Sequence, residues 1–179
     1  MDNLNLSPNT EIVLRDANGN VKPLFNPNVI GKITGLKIPG ITGSFKNSLL
    51  NHNIITNTGH KFANGRIGGV ALGNGAFNVI GIGTGTTAAA ATDTQLYSEI
   101  TTGGGSRISA TATQVTTSVT SDTTQLVASF TFSATFPVAE EGIFDSTTVS
   151  GSNILARQQF ATINVNSGDS LTITHKYQS

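Results

Sequence analysis

The sequence predicts an all-β fold, an antiparallel β-sandwich with an extended N-terminal arm. Three observations lead to this prediction. Charged residues make up only 11% of the 179 residues, whereas the exposed faces of helices need many more. Glycine is frequent, at 20 residues, and serine and threonine are abundant, which is typical of turns and strands. Several segments alternate apolar and polar residues with a period of two, as half-buried strands do.

The first predicted element is a β-hairpin. Two apolar runs, residues 11–15 and 21–25, flank the segment Asp16-Ala17-Asn18-Gly19-Asn20. Asn and Gly tolerate the positive φ angles that a tight hairpin turn requires. The pattern therefore predicts two paired strands at the N-terminus.

Residues 26–46 are predicted to form an extended arm. Pro27, Pro39 and glycines at 31, 35, 40 and 43 exclude a helix and a long strand. Single aliphatic residues recur along the segment, and they are costly in water, so we expect them to lie against the body or another subunit. The predicted partner-binding residues are Val29, Ile30, Ile33, Leu36, Ile38, Ile41 and Phe45. Residues 1–47 are thus predicted to be a hairpin and arm for attachment, and residues 48–179 the sandwich body.

The middle of the chain predicts one strand and one short helical turn. Residues 79–82 are apolar and β-branched around Gly81, as expected of a buried strand. Thr92 and Gln95 have the spacing of a helix capping box, and Leu96 and Ile100 follow four residues apart. We expect a helical turn there, capped by Thr92.

The C-terminal half predicts most of the strands. Residues 125–137 alternate strictly, with Leu, Ala and Phe on one face and Ser and Thr on the other, and residues 107–119 are expected to pair with them. Residues 153–165 and 170–177 are predicted to pair across the turn at 166–169. A total of six to nine short strands with Gly, Ser and Thr turns indicates a sandwich, immunoglobulin-like or jelly-roll-like.

Composition and charge exclude several classes of function. Cysteine is absent, so there are no disulfides or thiolate metal sites. The net charge is zero, which gives no overall field for nucleic acid, and no apolar run is long enough for a membrane span. The N-terminus lacks the features of a signal peptide, so synthesis in a cytoplasm is expected. Residues 1–66 have seven basic and three acidic residues, an asymmetry that fits either assembly of neighbouring subunits or ordinary scatter.

The residues that could support chemistry do not form a recognisable site. Residues 81–87, Gly-Ile-Gly-Thr-Gly-Thr-Thr, lack the spacing and the lysine of phosphate-binding loops. His52, His60 and His175 lack the spacing of a zinc site, and His175 is expected to be a hydrogen-bonded core or edge residue on the apolar face of the last strand.

Two acidic groupings remain, Asp93 with Glu99, and Glu140 and Glu141 with Asp145. Paired carboxylates can cleave glycosidic bonds, but adjacent glutamates before a strand are usually solvated turn residues. We expect no enzyme activity, no cofactor and no metal.

The chain resembles a group of small structural proteins of tailed bacteriophages. Residues 51–59 are similar to an Asn-x-x-Thr-Asn-x-Gly pattern of those proteins, and residues 81–96 to a Gly-x-Gly-Thr-Thr run that ends in Thr-Asp-Thr-x-Leu-x-x-Glu. Glu99 matches the last acid of that run, and Arg107 a basic residue that often follows it. The C-terminal similarity lies in residues 139–145 (Ala-Glu-Glu-Gly-Ile-Phe-Asp), Gly151, Leu155-Ala156-Arg157, Phe160 and residues 171–174. Residues 26–46 depart from the pattern and look inserted.

This resemblance implies a virion component, because proteins of the group are described as tail, fibre or head-decoration proteins. We expect capsid decoration or cementing through the arm. The alternatives are a tail or fibre component that contacts the host, and a glycan-binding or glycan-cleaving module. The expected partners are other virion proteins, either the major capsid protein or tail and fibre proteins, with further copies of the chain, and neither nucleic acid nor membrane. The expected location is the virion, assembled in the host bacterial cytoplasm.

Overall fold

The computed structural model describes residues 7–24, 53–70 and 75–178. In these residues the chain forms one helix, α1 (Asn57–Ile67), and ten strands. The strands are β1 (Ser7–Arg15), β2 (Val21–Lys22), β3 (Ile54–Ile55), β4 (Val79–Gly83), β5 (Ile108–Ser109), β6 (Thr111–Val115), β7 (Thr123–Thr131), β8 (Phe136–Phe144), β9 (Ile154–Val165) and β10 (Ser170–Gln178). The count of ten exceeds the predicted six to nine, and three of the ten strands have only two residues.

Two five-stranded sheets pack against each other, which confirms the predicted all-β sandwich. The first sheet has the order β2-β1-β10-β7-β6 and the second the order β3-β9-β8-β4-β5. All of the strand pairs are antiparallel. The main core lies between the sheets and takes residues from both, among them Ile12, Phe130 and Ile173 from the first sheet and Ile80 and Ile143 from the second.

A second, smaller core lies on the other face of the second sheet. Along β4, Ile80 and Ile82 point into the main core, while Val79 packs in a separate cluster with Leu96, Phe144 and Ile154. Because successive strand residues point to opposite faces, this cluster lies on the outer face of the second sheet. The predicted buried strand at 79–82 is thereby confirmed, and it is buried on both faces.

The N-terminal hairpin is confirmed and forms part of the sandwich. Strands β1 and β2 pair at Leu14 with Lys22, and Gly19 has a φ of 83° in the connecting turn. Strand β1 also pairs with β10 along its entire length, and Ile12 lies in the core. The hairpin is therefore integral to the first sheet, and the predicted boundary after residue 47 separates strands that belong to one sheet. The predicted arm, residues 26–46, lies outside the described residues.

The predicted pairing of residues 153–165 with 170–177 is wrong. Both segments are strands, but β9 lies in the second sheet and β10 in the first. The turn between them, with Gly168 at a φ of 87°, crosses from one sheet to the other. Likewise, the predicted strand at 125–137 divides into the end of β7 and the start of β8, which belong to different sheets. The predicted pairing of residues 107–119 with this segment is correct for β6 and β7.

The helix is not where the sequence predicts it. Residues 92–100 form turns and one isolated bridge, so the predicted helical turn capped by Thr92 is wrong. Instead, Thr56 caps α1, since its side chain accepts a hydrogen bond from the N–H of Gly59 at 2.9 Å. No helix in the described parts of the chain is long and apolar enough to cross a membrane.

Candidate functional site

Residues 84–100, here called the covering loop, lie over the outer face of the second sheet. A backbone hydrogen bond from Thr84 N to Ser98 O at 2.8 Å closes the loop on itself, and one from Ile100 N to Ile82 O at 2.9 Å holds its end to β4. The glycines of β4 and the start of this loop make the close approach possible. A Cβ atom on Gly83 would lie 2.5 Å from the carbonyl oxygen of Ser98, and one on Gly85 would lie 2.9 Å from the Cβ of Tyr97. These positions therefore require glycine for space.

Under the covering loop lies a buried group of charged residues, Arg157, Glu140 and Asp93, here called the arginine cluster. Arg157 lies on β9 and Glu140 on β8, and neither has any exposed surface. The guanidinium donates from Nε to Oε2 of Glu140 at 3.0 Å and from Nη1 to Asp93 at 2.9 Å, and its Nη2 lies 2.8 Å from the same oxygen of Glu140. It also donates to the carbonyl oxygens of Thr87 and Ala88 in the loop. These contacts engage all three nitrogens of the guanidinium.

The carboxylate of Glu140 is as fully bonded as the arginine. Its Oε1 accepts from the backbone N–H groups of Gly85 at 3.0 Å and Ser98 at 2.7 Å. Its Oε2 accepts from the backbone N–H of Tyr97 at 3.1 Å, in addition to Arg157. A buried charge is tolerated when it is paired and hydrogen-bonded in this way. The arginine cluster thus fastens the covering loop to the second sheet.

A second ion pair joins the end of the covering loop to the residues that follow it. Arg107 donates to both oxygens of Glu99, at 2.6 and 2.8 Å, which is the bidentate geometry favoured by arginine and carboxylate. Its Nη1 donates to the hydroxyl of Ser152 at 2.7 Å. Its Cζ lies 3.4 Å from the centre of the Phe144 ring, so the guanidinium also packs on an aromatic face. The acid and the base that the resemblance singles out are therefore partners of each other.

Between the two sheets lies a third polar group, here called the histidine cluster: Glu141, His175, Thr10, Asn53 and Tyr177. Oε1 of Glu141 accepts from the hydroxyl of Thr10 at 3.0 Å and lies 3.1 Å from Nδ1 of His175. The amide nitrogen of Asn53 lies 3.0 Å from Nε2 of His175. The same amide nitrogen lies 3.3 Å from Nδ1, so it contacts both ring nitrogens and lies in line with neither. The cluster connects β8 of the second sheet to β1 and β10 of the first.

The histidine cluster is incompletely bonded. Within the part of the chain that the structure describes, Oε2 of Glu141, Oη of Tyr177 and Oδ1 of Asn53 are buried without a hydrogen-bond partner. The rings of His175 and Tyr177 lie 4.5 Å apart. Burial, and to a lesser degree the nearby carboxylate of Glu141, raise the pKa of Tyr177 well above its ordinary value of 10.0. The tyrosine is thus held in its neutral form.

The pattern Asn-x-x-Thr-Asn-x-Gly corresponds to Asn53, Thr56, Asn57 and Gly59, and each of these residues has a structural contact. Asn53 bonds His175, and the hydroxyl of Thr56 donates to the carbonyl of Ile154 at 2.7 Å while it caps α1. The N–H of Asn57 donates to the carbonyl of Ala91 at 2.7 Å. A Cβ atom on Gly59 would overlap the carbonyl of Leu155 on β9. The pattern therefore docks the helix against the second sheet.

Several sequence predictions about individual residues are corrected. Glu140 and Glu141 are not solvated turn residues at the entry to a strand, because both lie inside β8 with no exposed surface. Asp145 accepts from the backbone and side chain of Asn153, each at 2.8 Å. His175 is a hydrogen-bonded core residue, as predicted. The seven predicted partner-binding residues and His52 lie outside the described residues.

The sequence interpretation missed the roles of Arg107 and Arg157, and one signal could have revealed them. In residues 67–179 they are two of only three basic residues. Arg157 follows two apolar residues within an apolar strand, which is an unusual place for a charge unless it is paired. Across residues 7–24, 53–70 and 75–178, no group of three or more histidine or acidic side chains could hold a metal ion.

Comparison with protein families, with curated proteins and with solved structures finds no match for this chain.

Proposed function

We propose that the protein is a structural component of a tailed-bacteriophage virion, a β-sandwich fixed to the particle surface as a capsid decoration or cement protein. One observation carries the proposal. The residues that resemble phage structural proteins are the ones that bond the covering loop, the helix and the two sheets together, as Glu140 with Arg157 and Glu99 with Arg107 illustrate. Motif residues that hydrogen-bond one another inside the fold are expected of a structural protein. Catalytic motif residues instead leave reactive groups accessible to a substrate.

Attachment is assigned to residues 26–46, and in particular to Val29, Ile30, Ile33, Leu36, Ile38, Ile41 and Phe45. Leu24, just before this segment, is buried in the main core, and Asn53, just after it, belongs to the histidine cluster. The described residues that flank 25–52 on each side therefore belong to the sandwich. Aliphatic residues spaced along an extended segment suit grooves between subunits or addition to the edge of a neighbour's sheet.

The alternative is a tail or fibre component, which shares the resemblance and the same internal bonds. It differs in location on the particle and in oligomeric state, since a fibre part is expected to be a stable trimer on its own.

The glycan alternative has less support. Its acidic candidates are Glu140 and Asp145, but Glu140 has no exposed surface and four bonded donors, so a sugar could not reach its carboxylate. The carboxylate of Asp145 already accepts two hydrogen bonds from Asn153. A glycan module predicts saturable sugar binding that is lost in Asp145→Ala, which glycan-array and calorimetric measurements would detect.

The deciding experiment is electron cryomicroscopy of the source phage together with a binding assay on particles that lack the protein. The test variant replaces the seven apolar residues of 26–46 with serine, and the control variant replaces Asn28, Thr34 and Thr42 with serine. We expect density on the capsid lattice, and co-sedimentation of the wild type and the control but not of the test variant. Density confined to the tail would favour the fibre alternative, and absence from the particle would overturn the virion proposal.

A further inference from the structure

The edge strand β6 differs from the strands at the other side of the first sheet. It has five residues, Thr-Ala-Thr-Gln-Val, and pairs with β7 along its entire length on one side. No strand in the described residues pairs with its other side. At the opposite edge, β2 has two residues, contains Lys22 and is followed by Pro23, and these are features that discourage pairing with another chain.

Strand β6 also lacks the devices that protect natural sheet edges. Between Arg107, which is buried, and Asp122 the sequence contains no charged residue and no proline. The four residues from Thr111 to Gln114 are exposed, and the β6–β7 register has no bulge. Charges, prolines and bulges are the usual means of preventing edge-to-edge pairing. Strand β6 therefore offers a regular row of backbone hydrogen-bonding groups to a further strand.

Asp122, the first charged residue after β6 in the sequence, is hydrogen-bonded within the loop that precedes it. The carboxylate of Asp122 accepts from the backbone N–H groups of Val119, Ser118 and Thr117 at 2.8–3.0 Å. These bonds, that of Val119 first, hold the pKa of the Asp122 carboxyl well below its ordinary value of 3.8. The carboxylate is thus hydrogen-bonded within the loop between β6 and β7.

We propose that β6 is a self-association surface that pairs antiparallel with β6 of a second copy of this chain about a two-fold axis centred on Thr113. Strand β6 itself carries no charge that could pair with a charged partner segment, whereas a second copy brings an equally uncharged strand. Full overlap of two five-residue strands places Thr113 opposite Thr113, and Thr111 opposite Val115. Such a contact is isologous, with the same surface used by both copies. The first sheets of the two copies then form one continuous sheet.

Stable protein pairs typically bury about 1,200 Å² or more of surface, and a contact between two five-residue strands is smaller than that. Association of free copies is therefore weak, with a dissociation constant in the range of about 0.1–1 mM. In an assembly that holds many copies close together, the same contact gains from the high local concentration. The proposal does not depend on whether the protein is a virion component.

The test is sedimentation velocity at rising concentration, up to about 1 mM. The wild type is expected to form dimers. Thr113→Lys and Thr113→Glu each place two like charges opposite one another across the two-fold axis, and are expected to raise the dissociation constant about fivefold or more. An equimolar mixture of the two variants is expected to dimerise again, because Lys then faces Glu. A purely structural effect of either substitution would not be rescued by mixing.

The matched control is Thr162→Lys, an exposed threonine on β9 of the other sheet, which is expected to dimerise as the wild type does. Three results would each overturn the proposal: a wild type that stays monomeric throughout, two charge variants that are not rescued in the mixture, or dissociation caused by Thr162→Lys. Circular dichroism of each variant verifies that the fold is retained. None of these results bears on where the protein lies in a particle, so failure here is distinct from failure of the proposed function.

Discussion

Glu140 and Glu141 are adjacent in β8 and equally buried, yet their surroundings differ completely. Glu140 points to the outer face of the second sheet, where three backbone N–H groups and Arg157 bond both of its oxygens. Glu141 points between the sheets, where Thr10 and His175 bond one oxygen. Its second oxygen has no partner among the described residues.

The difference follows from the period of two along a strand that is covered on both faces. On the outer face, the covering loop is irregular backbone with free N–H groups, and these supply donors to a carboxylate. Between the sheets, the backbone groups of the neighbouring strands are used within their own ladders, so only side chains remain as partners. A buried carboxylate is thus well bonded under a loop and poorly bonded between two sheets. The arginine cluster is a rigid fastening, and the histidine cluster is the weaker polar connection of the two.

The sharpest test of this comparison makes the same substitution at both positions. In Glu140→Gln, an amide NH₂ faces backbone N–H donors and Arg157 loses a countercharge, so we expect a loss of about 3–5 kcal/mol in the free energy of unfolding. In Glu141→Gln, the amide oxygen still accepts from Thr10 and His175, and the NH₂ replaces an oxygen without a partner. We expect a loss of about 1 kcal/mol there.

Both values are measured by chemical denaturation at pH 7, and each variant is the matched control of the other because both lose one buried carboxylate from β8. Equal losses at positions 140 and 141 would contradict the comparison, because burial alone would then set the cost.

The next effect concerns the space that the outer face requires. Gly83→Ala places a Cβ atom 2.5 Å from the carbonyl oxygen of Ser98 and against the carboxylate of Glu140. Overpacking of this kind typically costs about 1–3 kcal/mol, and it should lift the covering loop from the sheet. The matched control is Gly68→Ala, where φ is −80° and the nearest atom is 3.6 Å away, so we expect a change within about 0.5 kcal/mol. Denaturation midpoints report the stability of the two variants, and limited proteolysis reports how well the covering loop is protected. Equal protection of the loop in Gly83→Ala and Gly68→Ala would argue against the packing role of Gly83.

The sequence predicts the elements of this fold better than their partners. The hairpin at Asn18-Gly19, the buried strand at 79–82 and the alternation from Leu126 to Phe132 all follow from local chemistry, and the structure has them. Strand pairing follows from contacts distant in sequence. A four-residue turn at 166–169 predicts a hairpin, but here it connects two sheets, and nothing local distinguishes the two outcomes.

The membership of the arginine and histidine clusters could not be predicted from the sequence. Glu140 and Arg157 are 17 residues apart on neighbouring strands, and Asp93 reaches them from the covering loop. Such a group becomes visible only when the strand order is known. The helix was missed for a different reason: residues 57–67 have two glycines and no apolar stripe, so helical periodicity is absent. The cap at Thr56 and the fit of Gly59 against β9 determine that helix instead.

The smallest expected effect lies in the histidine cluster and depends on pH. The Tyr177 hydroxyl has no partner among the described residues, so Tyr177→Phe should change the free energy of unfolding at pH 7 by less than about 1 kcal/mol. The pKa of Tyr177 is raised in the folded protein, whereas a tyrosine in the unfolded chain ionises near pH 10. Between these two pKa values only the unfolded state releases the proton, so stability falls as pH rises above about 10. Tyr177→Phe should remove the loss of stability that comes from ionisation of this tyrosine in the unfolded chain. Tyr97→Phe, at an exposed ring, should leave that loss unchanged. Denaturation curves from pH 8 to 11 compare the three proteins, and equal slopes in all of them would mean that Tyr177 ionises freely in the fold and that the histidine cluster is open to water.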